Sequence, residues 1–252
     1  MTTLPRIVAA ETLDNLAESD PAAMRSRRDL QRIHRLMGTR GIMARALQGL
    51  AASRPAAGRL RLLELGAGDG SLMLGVAGRL GANCPAVEIT LLDRQDLVTP
   101  ATLKAYARLG WTASTQVVDV FDWVSRHAPA GREPGARWDA IVSSLFLHHF
   151  EGQALATLLA AIESRARHFL ACEPRRARFA LACSHLVGVA GANAVTRQDA
   201  VLSVHAGFQG QELGALWPGH GAFWTVREYP AGLFCHCFFA KRSGLARAAA
   251  LP

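Results

Sequence analysis

The stretch that most constrains this chain is residues 59–70, RLRLLELGAGDG. Leu60, Leu62, Leu63 and Leu65 run directly into Gly66, Gly68 and Gly70, and Leu72, Met73, Leu74, Val76 and Leu80 then resume at helical spacing. The pattern predicts a buried strand, a tight glycine turn and a helix start. That is the opening unit of an α/β sheet whose ligands bind at the carboxyl ends of its strands. The glycines allow positive φ and let a ligand come close to the backbone.

The letters inside the turn narrow the ligand. A dinucleotide fingerprint reads G-x-G-x-x-G, but here Ser71 follows Gly70 and the third glycine arrives one residue early. Glu64 and Asp69 flank the turn, and both would repel a pyrophosphate while suiting a cationic ligand. The phrase E-L-G-A-G-D-G resembles motif I of the class I S-adenosylmethionine (SAM)-dependent methyltransferases. The resemblance spans about residues 59 to 240. It implies an α/β fold with a seven-stranded Rossmann-like sheet closed by an antiparallel C-terminal hairpin, residues 1–58 forming a helical lid and 59–252 the catalytic domain.

The rest of the chain agrees with alternating strands and helices. Asp20-Pro21 reads as a helix N-cap followed by proline at the first helical position. That helix is expected to reach Met37, with a second one carrying Ile42, Met43, Leu47 and Leu50. Residues 1–20 show little periodicity. Strands are expected at 87–92, 111–118, 138–143 and 168–172, with helices from Thr99-Pro100 and over 153–165. Residues 128–135 (APAGREPG) read as a loop, and 196–216 as a helical pair. Residues 223–229 and 233–240, joined at Pro230-Ala231-Gly232, read as a closing hairpin, which an NAD-binding Rossmann domain lacks.

Asp93 closes the second strand about twenty residues after the glycine turn, where an acid can take both ribose hydroxyls of a nucleoside. By resemblance, Glu64 and Gly66 face the methionine amino group, with Ala67 and Gly68 in close backbone approach. Asp93 and Arg94 lie at the ribose, Asp119, Val120 and Phe121 around adenine, and Ser143 at the end of the fourth strand. Asp122 could serve in place of Asp119.

Transfer to a phenolic or enolic acceptor needs a base that works near neutral pH, a task suited to histidine. His148 and His149 follow the fourth strand in L-F-L-H-H-F, which resembles a segment of methyltransferases acting on quinones and aromatic polyketides. His149 is the preferred base, although the sequence does not separate it from His148. His34, His185 and His205 are lesser candidates. The Asn/Asp-Pro-Pro-Tyr phrase of adenine or glutamine N-methyltransferases, the Pro-Cys nucleophile of cytosine C5 enzymes and the paired glutamates of protein arginine methyltransferases are absent after that strand. Leu145, Phe146 and Phe150 favour a hydrophobic small molecule.

The net charge of +8 and pI ≈ 10.1 invite a nucleic-acid reading. Nearly all the cations are arginines, however, in an alanine-rich chain, and the clusters at Arg25/Arg27/Arg28/Arg32/Arg35 and Arg175/Arg176/Arg178 read as solvated helix faces. Five cysteines form no disulfide framework at this length. Cys235-His236-Cys237 puts its thiols on one strand face and the imidazole on the other, with no second pair at matching spacing, so no metal is expected. No apolar run reaches membrane-span length and no leader pattern is visible, so a cytoplasmic location is expected. The N-terminal helices could also make a homodimer contact.

The reading is therefore a SAM-dependent methyltransferase of a hydroxyl, or next a carbon, on a hydrophobic aromatic, quinone- or polyketide-like molecule. The alternatives are a non-catalytic SAM-binding partner subunit and a basic RNA methyltransferase. An NAD-dependent oxidoreductase is disfavoured by Glu64, Asp69 and the glycine spacing.

Overall fold

The computed structural model describes residues 4–52, 58–81, 85–126, 138–189, 191–219 and 223–243. Within them β1 (Leu60–Leu65), β2 (Val87–Asp93), β3 (Trp111–Val117), β4 (Ala140–Ser144), β5 (His168–Pro174), β6 (Trp224–Ala231) and β7 (Cys235–Arg242) form one sheet of order β3-β2-β1-β4-β5-β7-β6. The first five strands are parallel, and β7 runs antiparallel between β5 and β6. The expected seven-stranded sheet and closing hairpin are both present. The order reverses between β1 and β4, which opens a crevice at their carboxyl ends.

Near-continuous apolar runs such as Leu62, Leu63 and Leu65 in β1 arise because both faces of these strands are covered. On one face α3 (Thr39–Ala52), α4 (Ser71–Leu80) and α5 (Pro100–Arg108) bury Met43, Leu47, Met73, Val76 and Tyr106. On the other, α6 (Val120–Arg126) and α7 (Gly152–Arg165) bury Trp123, Leu155, Leu158 and Ile162. Trp217, after α10 (Glu212–Leu216), stacks on Phe169 with centroids 5.7 Å apart.

α2 (Pro21–Leu36) and α9 (Ala194–Ala206), which both contribute residues to the crevice wall, pack on each other, and α8 (Arg178–Leu186) packs on α9. Asp20 caps α2, accepting from the N–H groups of Ala22 and Ala23, with Pro21 at the first helical position. Of the two helices expected as a lid, only α2 lies over the crevice. Met43, Leu47 and Leu50 of α3 are buried in the layer against the sheet and α4, so α3 belongs to the α/β sandwich. Residues 127–137, which include the expected loop, lie outside the described residues.

The segment before α2 is ordered by contacts that sequence periodicity does not announce. It runs across the crevice as a strap with one short helix, α1 (Thr12–Asn15). The Asp199 carboxylate on α9 accepts from Thr12 N–H (2.8 Å) and Leu13 N–H (2.9 Å). Arg6 donates to the carbonyls of Ala206 (2.9 Å) and Phe150 (2.8 Å), and its guanidinium lies over the Phe208 ring.

Candidate active site

A cavity of about 530 Å³ lies at the carboxyl ends of β1, β2 and β4, roofed by the strap and by α2. Gly66, Gly68 and Gly70 all have positive φ, so the chain can turn sharply out of β1 into α4. At Gly66 the absent side chain is filled by Phe146, whose ring would lie 2.3 Å from an added Cβ. Gly68 is open instead, with no atom within 4 Å of that position, so a ligand can lie directly against its backbone.

Glu64 ends β1 under this turn and is buried, and its Oε2 has no hydrogen-bond partner. Burial, with Asp69 and Asp93 nearby, pushes its carboxyl well above the usual carboxylate range. A buried acid with a free oxygen, beside two further acids, fits a ligand that brings its own positive charge. Asp93 closes β2, accepting from Gly68 N–H (2.8 Å) and Gln95 N–H (3.0 Å), so it joins the glycine turn to the next loop. Asp69 accepts from Ser71 N–H (3.0 Å), which tightens the turn just before α4, and also accepts from the Gln31 amide on α2.

Of the residues expected at the cofactor, Glu64, Gly66, Ala67, Gly68, Asp93, Arg94, Asp119 and Val120 line the cavity. Ser143 does not: it is buried inside β4, and Ser144, one residue on, is at the wall. Phe121 is also not among the lining residues. Asp119 accepts from Phe121 N–H (2.7 Å), which starts α6 and turns the Phe121 ring edge-on to Phe150. Arg94 points outward, paired with Asp14 of the strap.

Beyond β4 the chain enters the cavity through Leu145, whose φ of +50° is the sole positive value outside glycine among the described residues. A left-handed leucine is strained, and the surroundings must hold it. Leu145 N–H donates to Cys172 O (3.1 Å). Glu173, completely buried at the end of β5, then accepts from the N–H groups of Phe146 (3.1 Å) and Leu147 (3.1 Å). These bonds shape the 3-10 turn Leu147–His149, which carries both candidate histidines to the cavity wall.

The two imidazoles lie with centroids 4.2 Å apart and their planes tilted by 33°, but they differ in state. His148 is buried between Glu173 Oε2, 3.0 Å from Nδ1, and Glu11 Oε1, 3.2 Å from Nε2. Burial pulls its pKa down, but the two carboxylates prevail and raise it to about 9. Burial lowers the pKa of His149, and the charge on His148 lowers it further. His149 is thus the neutral member, its Nδ1 3.3 Å from Asp14 Oδ2. Of the lesser candidates, His34 on α2 lines the cavity. Burial, then Arg40, lowers its pKa to about 4. His185 is exposed on α8.

The sequence reading missed the strap residues Glu11 and Asp14, the α2 residue Gln31, and Glu173 as the organiser of the histidine turn. Only Glu173-Pro174, closing an apolar strand, left a visible signal.

Cys172 and Cys237 sit opposite each other in the β5–β7 register, with sulfurs 3.7 Å apart, and are buried as expected for core thiols. His236 meets Glu228 at 2.7 Å instead of joining them. No helix among the described residues is long and apolar enough to cross a membrane.

No protein-family model matches this chain, and no curated protein does. Solved structures do match. The plantazolicin methyltransferase BpumL, in complex with a triazolic desmethylPZN analog and SAH, aligns with a TM-score of 0.59 at 12% identity, over 89% of this chain and 93% of that one. The same enzyme in complex with SAH gives a TM-score of 0.58 at 12% identity, over 89% and 92%. The CurJ carbon methyltransferase aligns with a TM-score of 0.50 at 16% identity, over 81% of this chain and 54% of that one. With the sheet order and the reversed seventh strand, these likenesses show that the chain has the class I, Rossmann-like methyltransferase fold.

Proposed function

We propose that this chain is a SAM-dependent methyltransferase that acts on a hydroxyl of a hydrophobic aromatic, quinone- or polyketide-like small molecule. The observation that carries the reading is the buried Glu64 carboxyl, with its unpartnered oxygen, beneath an open glycine turn. Glu64 would hold the cofactor's ammonium, Gly68 its backbone-facing edge and Asp93 its ribose. Asp119 and Val120 would flank adenine. When bound, SAM supplies an activated methyl group, so the protein's task is chiefly to place the acceptor in line with it. Both BpumL structures contain SAH, the product of such a transfer.

The acceptor's end of the cavity supports the substrate class. Leu30, Leu97, Leu145, Phe146 and Phe150 give it an apolar wall, and His149 gives it a neutral imidazole. A hydroxyl seated on that imidazole can pass its proton to the ring as the oxygen is alkylated. Carbon methylation would use the same wall and the same proton acceptor. An RNA substrate is less well supported: within the cluster at residues 175–178, Arg176 is buried and paired with Glu212.

Calorimetric titration with SAM, SAH and NADH, each alone, tests the cofactor. Binding of the first two at micromolar concentration is expected, after which aromatic hydroxyl compounds are screened for methyl transfer. Binding of NADH alone would overturn the reading. Binding of SAH with no transfer to any acceptor would favour the partner-subunit alternative.

A further inference from the structure

Glu11, His148 and His149 each offer one ligand atom, a carboxylate oxygen or a ring nitrogen, and these three atoms lie within 4.8 Å of one another. No other such group of His, Cys, Asp or Glu side chains converges among the described residues. We propose that this trio binds a divalent first-row transition-metal ion on the cavity wall, where it meets the acceptor hydroxyl.

The donor set supports this. Two imidazoles and one carboxylate suit zinc or its first-row neighbours, and three protein ligands leave positions open for a substrate. All three residues line the cavity, so the open positions face the space where the acceptor is placed. Each imidazole is also backed by a second carboxylate, as metal-binding histidines usually are. Glu173 stands 3.0 Å from His148 Nδ1 and Asp14 3.3 Å from His149 Nδ1, which leaves the Nε2 nitrogens for the ion.

Charge and distance agree with the assignment. Three carboxylates (Glu11, Asp14 and Glu173) surround the two imidazoles; Arg94 pairs with Asp14, and Glu11 and Glu173 both close on His148. His148 Nε2 and Glu11 Oε1 are already 3.2 Å apart. Donors ~2.1 Å from a shared ion stand roughly 3.4 Å apart, so the site closes by small rotations. Glu11 comes from the strap, so the site exists only with the strap in place.

The consequence rests on the methyl-transfer reading above. A hydroxyl on an open position of the ion would lose its proton to water at neutral pH. Its oxygen pair would then form the bond to the methyl carbon while the carbon–sulfur bond breaks. His149 would serve as a ligand in the loaded protein and as the proton acceptor only without the ion.

The test is titration of the untagged, chelator-stripped full chain with Co2+, followed by visible d–d absorption. A saturable spectrum at one equivalent, displaced by Zn2+, is expected. Glu11→Gln and His149→Ala should each weaken binding roughly tenfold or more. His185→Ala, on the exposed face of α8, should leave it unchanged. Thermal unfolding near that of the wild type shows that both variants remain folded. The absence of a saturable spectrum, unchanged binding in the two variants, or sulfur-to-metal charge transfer pointing to the cysteines would each overturn the proposal. A parallel SAH titration of the metal-free protein separates the two ideas. If SAH binds and no saturable Co2+ spectrum forms, the ion is ruled out and the methyltransferase reading stands; if Co2+ binds and SAH does not, the metal site stands and the methyltransferase reading falls.

Discussion

Glu11 Oε1 lies 3.2 Å from His148 Nε2, a contact between residues 137 positions apart that ties the N-terminal strap to the turn after β4. Ser203 of α9 donates to the same carboxylate oxygen, so strap, turn and α9 meet at one atom. The cavity roof is therefore held by a few polar contacts and little buried apolar area. Such segments open at low free-energy cost.

Asp199 is the second anchor, and its removal should loosen the strap without touching the cavity floor. Asp199→Ala should raise amide exchange across residues 7–15 and weaken SAH binding by ~1–3 kcal/mol, the cost of bonds to a charged group. If exchange in that segment stays slow, the strap is held by something other than these bonds.

Glu64→Gln should move stability and binding in opposite directions. A carboxyl whose folded pKa is raised stabilises the fold only while both states are protonated. That contribution is lost as pH rises from the unfolded value through the folded one. Above this window the amide variant should be the more stable of the two. Its SAH affinity should be lower by ~1.5–3 kcal/mol, because the ammonium loses a charged partner. Wild-type affinity should fall as the pH is lowered and Glu64 takes a proton, and the variant should lack that dependence. Paired thermal melts and calorimetry across pH would show both effects.

Asp93→Ala removes an acceptor that serves two backbone N–H groups as well as the proposed ribose contact. A loss of ~1–3 kcal/mol in SAH affinity is expected. Unchanged affinity by calorimetry would refute the ribose assignment.

Gly66→Ala would set a methyl group 2.3 Å from the Phe146 ring at a φ of +68°. The fold should lose ~1–3 kcal/mol from backbone strain alone. Denaturant unfolding would measure the loss.

The sheet was legible because buried parallel strands leave unbroken apolar runs and the turn out of β1 requires glycine. The strap was not legible. It is held by Arg6, Glu11 and the Asp199 carboxylate, and contacts across nearly the whole chain leave no local period. Asp119-Val120-Phe121 was read as the end of β3 with three cofactor contacts. The structure starts a helix there, because an aspartate that accepts the N–H two residues on favours a cap, and the cap swings Phe121 toward Phe150. The two histidines could not be told apart in the sequence either. Their difference comes from Glu11 and Glu173, which close on His148 from distant parts of the chain.

That difference yields the sharpest functional split. His149 is neutral, lies at the cavity wall and is partly exposed, so replacing it removes a reactive group and little structure. His149→Ala should lower kcat by ~10²-fold or more while SAH affinity stays near that of the wild type. His148 instead links Glu173 to the strap through Glu11. His148→Ala leaves both carboxylates without their shared partner, so the strap loses an anchor and the turn a brace. It should lower kcat and SAH affinity together. Single-turnover rates with calorimetry on both variants would distinguish the roles. If His148→Ala spared SAH affinity while His149→Ala reduced it, the assignments of the two histidines would have to be exchanged.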